Sequence, residues 1–327
     1  MKMVPFVDLD LPPGRMVEWT LRPSAKVDTS ASVIETTKRP SFSQELYYHL
    51  IEWQSRLHEG RLAVWIGTTF EIAGKVDLDA LRATFRYLLA RYETLRSEFR
   101  MNPDPDESHG LFGLLQCDVM RPEAVALDQT ELGEFDDVKV LHDAIIERVD
   151  NTIDTNKGPV LLMGAVVGEE KTTAYIICDH IVTDGFSCAI KAHELGTIYE
   201  AIIAGKEPQL PETGSYLEFG KQEYATSERV EADDPRIQLW RGFVERNGHV
   251  FTEFPVDLHT KKGSWHPATC SVVRMLDPEE AGAFEQICRA EGASVMSGLL
   301  ADVALPFSAL PSHRCSRGSP TALTTAI

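Results

Sequence analysis

Positive charge is scarce in this sequence. Its 327 residues include 32 Lys and Arg against 50 Asp and Glu, which gives a formal net charge of −18. A chain with this balance has no broad basic surface to bind a phosphate backbone or an anionic membrane electrostatically. We therefore expect neither a nucleic-acid partner nor an electrostatic membrane anchor.

Long hydrophobic runs and paired cysteines are also missing. The longest apolar runs, such as residues 160–167, are too short to cross a bilayer, and the N-terminus lacks a signal-peptide pattern. The six cysteines are scattered without the spacing of a zinc site or a disulfide framework. We expect reduced thiols, no metal, no cofactor and no transmembrane segment. This favours a cytoplasmic location, with at most peripheral contact at the inner face of the membrane.

Hydrophobic periodicity predicts a mixture of helices and strands, and the chain length favours two lobes. Residues 1–40 are rich in Pro, Ser and Thr, so we expect an extended N-terminal segment there. The predicted helices cover 43–60 with apolar positions Leu46, Leu50 and Trp53, 77–92 with Asp77 as N-cap, 131–150, 186–204 with Ile190 and Ile198, 216–247 with a break, and 278–304 around Gly292.

Strands are predicted at 62–72, 95–100, 160–167, 173–178 and 270–276. The short polar turn between 160–167 and 173–178 favours an antiparallel hairpin. Its second strand is apolar on both faces, which is typical of a central strand covered on both sides. Helices on such a sheet indicate an α+β fold.

Titratable residues follow this central strand at once. The sequence from 175 to 187 reads Tyr-Ile-Ile-Cys-Asp-His-Ile-Val-Thr-Asp-Gly-Phe-Ser. A neutral imidazole at His180 can take a proton from a hydroxyl and return one to a leaving group. Asp184 is better placed to brace the loop than to do chemistry. Gly185 suits a turn with positive φ or unusually close packing, and Asp179 is either a surface carboxylate or a substrate-orienting group.

Three other interpretations of these residues exist. His180 could be a hydrogen-bonded core histidine. It could also join Asp184 and His193 in a metal site, although no third-ligand pattern supports that. The stretch from Gly185 to Ala189 is similar to a nucleophile elbow around Ser187, but its last position lacks the glycine of that motif. The elbow would indicate a serine hydrolase.

The motif resembles the His-His-x-x-x-Asp-Gly signature of the condensation-domain and chloramphenicol-acetyltransferase-like acyltransferases. His180 matches the second, catalytic histidine, and Asp179 replaces the first, as in the polyketide-associated (Pap-type) branch. Residues 88–99, 214–219 and 252–258 are similar to family segments in the same order. The resemblance covers about residues 14–305.

The resemblance implies a sandwich of mixed sheet and helices, and acyl transfer from a thioester to a hydroxyl. The acyl donor would be acyl-CoA or an acyl carrier protein of a polyketide synthase, and the acceptor a hydroxylated lipid, sugar or diol in lipid biosynthesis. His180 would be the general base. Asp184 would be structural, paired with an arginine from the second lobe.

The chain departs from the family towards its end. We expect a complete first lobe at 41–245, a linker and the start of a second lobe at 246–305, and an aberrant, disordered tail at 306–327, which has no Asp or Glu. Such a truncated second lobe would impair the enzyme. The alternative from another class is a non-catalytic remnant that binds a carrier protein or an acyl chain.

Overall fold

A computed structural model describes residues 6–23, 34–57, 64–102, 114–246, 248, 259, 261 and 273–308. The chain divides into two compact units, Met1–Glu228 and Arg229–Ile327. The lobe boundary at 245 stays a prediction. The strands in the described residues are β1 (Gly14–Pro23), β2 (Ile34–Lys38), β3 (Trp65–Ala73), β4 (Ser97–Met101), β5 (Leu115–Met120), β6 (Val125–Phe135), β7 (Leu161–Val167) and β8 (Lys171–Asp179). The α-helices are α1 (Phe42–Leu57), α2 (Leu78–Arg91), α3 (Val138–Thr152), α4 (Gly185–Ile203), α5 (Tyr216–Ser227), α6 (Pro235–Arg246), α7 (Pro278–Ala290) and α8 (Val295–Ser308).

The first unit is built on a five-stranded antiparallel sheet in the order β3-β8-β7-β1-β6. A three-stranded sheet in the order β2-β5-β4 accompanies it. The predicted hairpin is confirmed, since β7 and β8 pair antiparallel in the interior of the larger sheet. The α+β class is confirmed as well.

Hydrophobic side chains cover both faces of the larger sheet. Ile176 of β8 belongs to the core that contains Phe85 of α2 and Leu195 of α4. Its neighbour Ile177 points to the opposite face and belongs to the core formed with Ile145 of α3. Successive strand residues alternate between faces, so a strand buried on both sides is apolar throughout.

Residues 1–40 are predicted as an extended segment, but within the described residues 14–23 form an interior strand, β1, and 34–38 form β2 of the smaller sheet. β1 lies between β7 and β6, and Met16, Val17 and Trp19 are fully buried. The apolar pattern is interrupted by Glu18, which is also buried and forms an ion pair with Arg148 of α3. Because Glu18 interrupts the apolar pattern, hydrophobic periodicity does not predict this strand.

Two predicted helices differ from the observed ones. Residues 131–135 belong to β6, and α3 begins only at Val138, with the Asp137 side chain as its N-cap. In α1 the predicted apolar positions Leu46, Leu50 and Trp53 are exposed, and Tyr48 and Ile51 are buried. The buried side of α1 also includes Gln44 and Glu45, whose hydrogen bonds make burial of polar groups acceptable.

Other helices follow the prediction closely. The Asp77 side chain caps α2 by accepting a hydrogen bond from the backbone N–H of Ala80. In α4, Ile198 is buried as expected, but Ile190 is half exposed. None of the helices in the part of the chain that the structure describes is long and apolar enough to cross a membrane.

The second unit contains α6, α7 and α8. The expected helix pair around Gly292 is present as α7 and α8, and an Asp277–Glu280 capping box starts α7. The strand predicted at 270–276 is absent from residues 273–276, and its first three residues lie outside the described ranges. Of the predicted tail, residues 306–308 belong to α8, and 309–327 lie outside the described ranges.

Candidate active site

The central strand β8 carries His180 to one end of the sheet. After Asp179 a short 3₁₀ turn, His180–Val182, leads to Gly185, the first residue of α4. The backbone N–H of His180 donates to the carbonyl of Val64 at 3.0 Å. The hydroxyl of Tyr47 donates to the same carbonyl at 3.1 Å, and the Tyr47 ring lies 5.6 Å from the imidazole. The Val64 carbonyl therefore ties α1 to the histidine turn.

His180 is exposed, and it faces a cleft of about 610 Å³ in the first unit. This volume lies in the range of small-molecule sites. The described lining residues are Ser43, Gln44, Tyr47, Tyr92, Thr94, His180, Ile181, Val182, Thr183, Asp184, Ser187, Thr213, Gly214, Ser215, Tyr216 and Phe219. An exposed imidazole at a cleft disagrees with the interpretation of His180 as a hydrogen-bonded core histidine.

Asp179 lies beneath the cleft and is fully buried, so it is not the surface carboxylate that the sequence allowed. One oxygen accepts a hydrogen bond from Thr155, and the other accepts from the backbone N–H of Ile181 at 2.9 Å. Burial raises the pKa of the Asp179 carboxyl, although these hydrogen bonds oppose the shift. The carboxyl therefore fixes the start of the histidine turn from inside. Its predicted substrate-orienting role stays a prediction.

Asp184 fixes the other end of the turn. Its carboxylate caps α4 by accepting hydrogen bonds from the backbone N–H and the hydroxyl of Ser187, each at 2.7 Å. These bonds lower the pKa of Asp184. The arginine partner implied by the family resemblance stays a prediction. Gly185 lies in the first turn of α4 and is not among the described glycines with positive φ.

A buried lysine supports the turn from the side of α4. Lys191 is almost fully buried, and its ammonium donates to the hydroxyl of Thr183 at 2.6 Å and to the sulfur of Cys178 at 3.5 Å. Burial of an ammonium group is costly unless the group is hydrogen-bonded. The bonds to Thr183 and Cys178 therefore allow Lys191 to be buried beside the histidine turn. Sequence reasoning missed the burial of Lys191, because lysine is usually exposed on a helix.

The segment 91–96 is a brace between three helices. At the end of α2, Arg91 pairs with Glu194 of α4 at 3.1 Å, and the hydroxyl of Tyr92 donates to the same carboxylate at 2.8 Å. Glu93 accepts hydrogen bonds from Ser215 and from the backbone N–H of Leu217 at the start of α5. This segment therefore holds α4 and α5 on either side of the cleft.

Several cleft residues escaped the sequence reasoning. Gln44 donates to the carbonyl of Ile181 at 3.0 Å and also forms a capping box with Ser41 at the start of α1. The pattern Ser-x-x-Gln is a known helix-start signal, so this residue could have been found. Tyr47 and Tyr92 could not, because only the packing of α1 and α2 brings them to the cleft.

The two other chemical interpretations find little support in the structure. No group of three or more His, Cys, Asp or Glu in the described residues could hold a metal ion. Ser187 lies in the first turn of α4, and its hydroxyl donates to Asp184 rather than to a histidine. The strand before it pairs antiparallel with both neighbours, unlike the parallel strand of a nucleophile elbow.

The central strand β8 is antiparallel to both neighbours, and the histidine turn that follows it leads into the capped helix α4. This arrangement agrees with the condensation-type fold that the motif implies. The model of the condensation domain family matches residues 47–314, and the chain belongs to that family. Pap-type acyltransferases are among its relatives. The acyltransferase PapA3 of Mycobacterium tuberculosis is 28% identical over 293 residues, which are 88% of this chain and 58% of PapA3.

A second relative is the 2'-acyl-2-O-sulfo-trehalose (hydroxy)phthioceranyltransferase PapA1 of Mycobacterium bovis. It is 25% identical over 301 residues, which are 91% of this chain and 56% of PapA1. The structure titled PapA2 acyl transferase aligns with a TM-score of 0.74 at 20% identity, over 91% of this chain and 62% of that one. That likeness supports the fold. The chain thus spans less than two thirds of each of these proteins.

Proposed function

We propose that this chain carries the catalytic histidine of an acyltransferase that moves a fatty or polyketide acyl group from a thioester to a hydroxyl of a sugar in lipid biosynthesis. The observation that carries the proposal is the exposed His180 at a cleft, fixed on both sides by buried Asp179 and the Asp184 cap. The Pap-type relatives support the reaction class, and the name of PapA1 contains a trehalose acceptor.

The chemistry needs one base and a bound pair of substrates. The His180 imidazole takes the proton of the acceptor hydroxyl, and the oxygen adds to the thioester carbonyl. When the tetrahedral adduct collapses, the C–S bond breaks and the imidazolium returns the proton to the leaving thiolate. A C–O bond has then replaced the C–S bond, and no acyl-enzyme forms. General-base catalysis of this kind contributes roughly 10²–10⁴-fold.

The donor in this proposal is acyl-CoA or an acylated carrier protein of a polyketide synthase. The test is an acyl-transfer assay of the purified chain with a long-chain acyl-CoA and trehalose, with the ester product followed by mass spectrometry. Ester formation that depends on His180 supports the proposal. Thioester hydrolysis without any ester, or ester formation that needs Ser187 but not His180, would contradict it.

A further inference from the structure

Hydroxyl groups dominate the cleft at His180, and charged groups are few. Among its described lining residues are three tyrosines, three serines and three threonines. None of those lining residues is Lys or Arg, and Asp184 is the carboxylate among them. A sulfate or phosphate ester is normally bound by cations or by several N–H donors. The described wall of this cleft presents neither arrangement.

Three cations of the first unit, Arg91, Lys38 and Lys191, already have partners. Arg91 pairs with Glu194, and Lys38 pairs with Glu218 at 2.8 Å and lies 4.0 Å from Glu93. Lys191 is buried and directs its ammonium to Thr183, below the surface of the cleft. These charges therefore stabilise the protein rather than present a binding site for an anion.

The N-termini of the three helices that begin at the described cleft, α1, α4 and α5, are also occupied, and in α1 the N–H of Phe42 donates to Glu223. The N-terminus of α4 is capped by Asp184, and the first turn of α5 donates the N–H of Leu217 to Glu93. A helix N-terminus favours an anion through its unpaired N–H groups and its dipole. Here carboxylates of the chain itself take those positions, and they would repel an anionic ligand.

The direction of the hydroxyl hydrogen bonds points to the kind of ligand. Tyr47 donates its proton to the Val64 carbonyl, Tyr92 to Glu194, and Ser187 to Asp184. A hydroxyl that donates inward offers only its lone pairs to a ligand. These three hydroxyls can accept hydrogen bonds from sugar hydroxyls, which donate, but they offer no proton to a sulfate group, which only accepts.

We infer that the acceptor that binds this cleft is an uncharged polyol, such as an unsubstituted disaccharide, and not a sulfated sugar. The inference rests on the proposed function for its relevance to acyl transfer, and it specifies the acceptor class of that site. The relative PapA1 carries a sulfated trehalose in its name, so the two proteins would differ in acceptor charge.

The test is a binding titration of the full chain with trehalose and with its 2-sulfate ester, by NMR or calorimetry and without acyl donor. We expect trehalose to bind with a dissociation constant about tenfold or more below that of the sulfate ester, since one repelled or unmatched charge is worth about that factor. Equal or tighter binding of the sulfate ester would overturn the inference, and so would the absence of binding by both sugars.

A charge-adding variant sharpens the test. Thr94 lines the cleft and its side chain makes no hydrogen bond to a described residue. Thr94→Lys should therefore strengthen binding of the sulfate ester, about tenfold. The matched control is Gln222→Lys, on the exposed side of α5 and not among the described residues of the cleft, which should leave both affinities unchanged. An equal gain in affinity for the sulfate ester in both variants would show that the effect comes from net charge, and it would overturn the inference.

These results separate the inference from the proposed function. If trehalose binds preferentially but receives no acyl group, the proposed acyltransferase fails and the acceptor class stands. If the sulfate ester is bound and acylated in preference, the acyltransferase stands and the acceptor class fails.

Discussion

The carboxylate of Asp184 accepts two hydrogen bonds from Ser187, one from the backbone N–H and one from the hydroxyl, each 2.7 Å long. This pair closes the first turn of α4 directly after the histidine turn. Asp184 therefore acts as a helix cap, and Ser187 serves that cap. The geometry assigns the placement of the turn to Asp184 and Ser187, and the proposed chemistry of the motif rests on His180.

His180→Ala should abolish most acyl transfer, by roughly 10²–10⁴-fold, because the general base is lost. His193→Ala is the matched control, since His193 is an exposed histidine on α4 outside the described cleft lining. Ser187→Ala should retain most activity, because the backbone N–H still caps onto Asp184. Initial rates of ester formation measure all three. Loss of activity in Ser187→Ala with an active His180→Ala would instead indicate a serine nucleophile.

Asp184→Ala should lower the free energy of unfolding by about 0.5–2 kcal/mol, the usual value of an N-cap. Its hydrogen bonds lower the folded-state pKa of Asp184. The stabilisation is therefore present above the unfolded-state pKa and is lost as the pH falls through the folded one. Urea unfolding at neutral pH and at about pH 3 should show a difference that shrinks in acid. Glu200→Ala, exposed on α4, is the control, and a difference independent of pH would contradict the cap.

Thr155→Val should destabilise the protein by about 1–3 kcal/mol, because the buried Asp179 loses a hydrogen-bond donor. Burial raises the folded-state pKa of Asp179, so stability linked to this group is lost as the pH rises through that pKa. The deficit of Thr155→Val should consequently grow with pH. Denaturant unfolding of both proteins at a series of pH values measures this difference in the free energy of unfolding.

Thr172→Val is the control for Thr155→Val. Thr172 is fully buried in β8, and its hydroxyl has no hydrogen-bond partner in the part of the chain that the structure describes. Replacement of such a hydroxyl by a methyl group of similar shape should be neutral or stabilising. Comparable losses in the two variants would mean that β-branched packing, and not the bond to Asp179, determines the effect.

Glu194→Gln should cost about 3–5 kcal/mol, because it leaves the largely buried Arg91 without its carboxylate. The surface pair of Arg82 and Asp79 gives the comparison, and Asp79→Asn should cost less than about 1 kcal/mol. Thermal and denaturant unfolding of both variants provides the values. Similar small losses would show that the brace between α2 and α4 contributes little to the fold.

The sequence alone determined the local features of this protein. Two short apolar runs joined by a polar turn identified the hairpin of β7 and β8, and Asp77 marked the start of α2. The short run from Asp179 to Gly185 identified the histidine turn. Each of these depends on residues close together along the chain, so period, cap and turn preferences suffice to predict it.

Only the tertiary structure decided which polar side chains are buried and which residues line the cleft at His180. Glu18 is charged, and its burial depends on its strand lying where Arg148 of α3 can pair with it. Leu46 and Leu50 had helical spacing, but α1 buries its other side, where Gln44 and Glu45 find hydrogen bonds. Burial of a polar group depends on partners far away in the chain. The sequence therefore located the candidate base, and packing determined the hydroxyl-lined cleft around it.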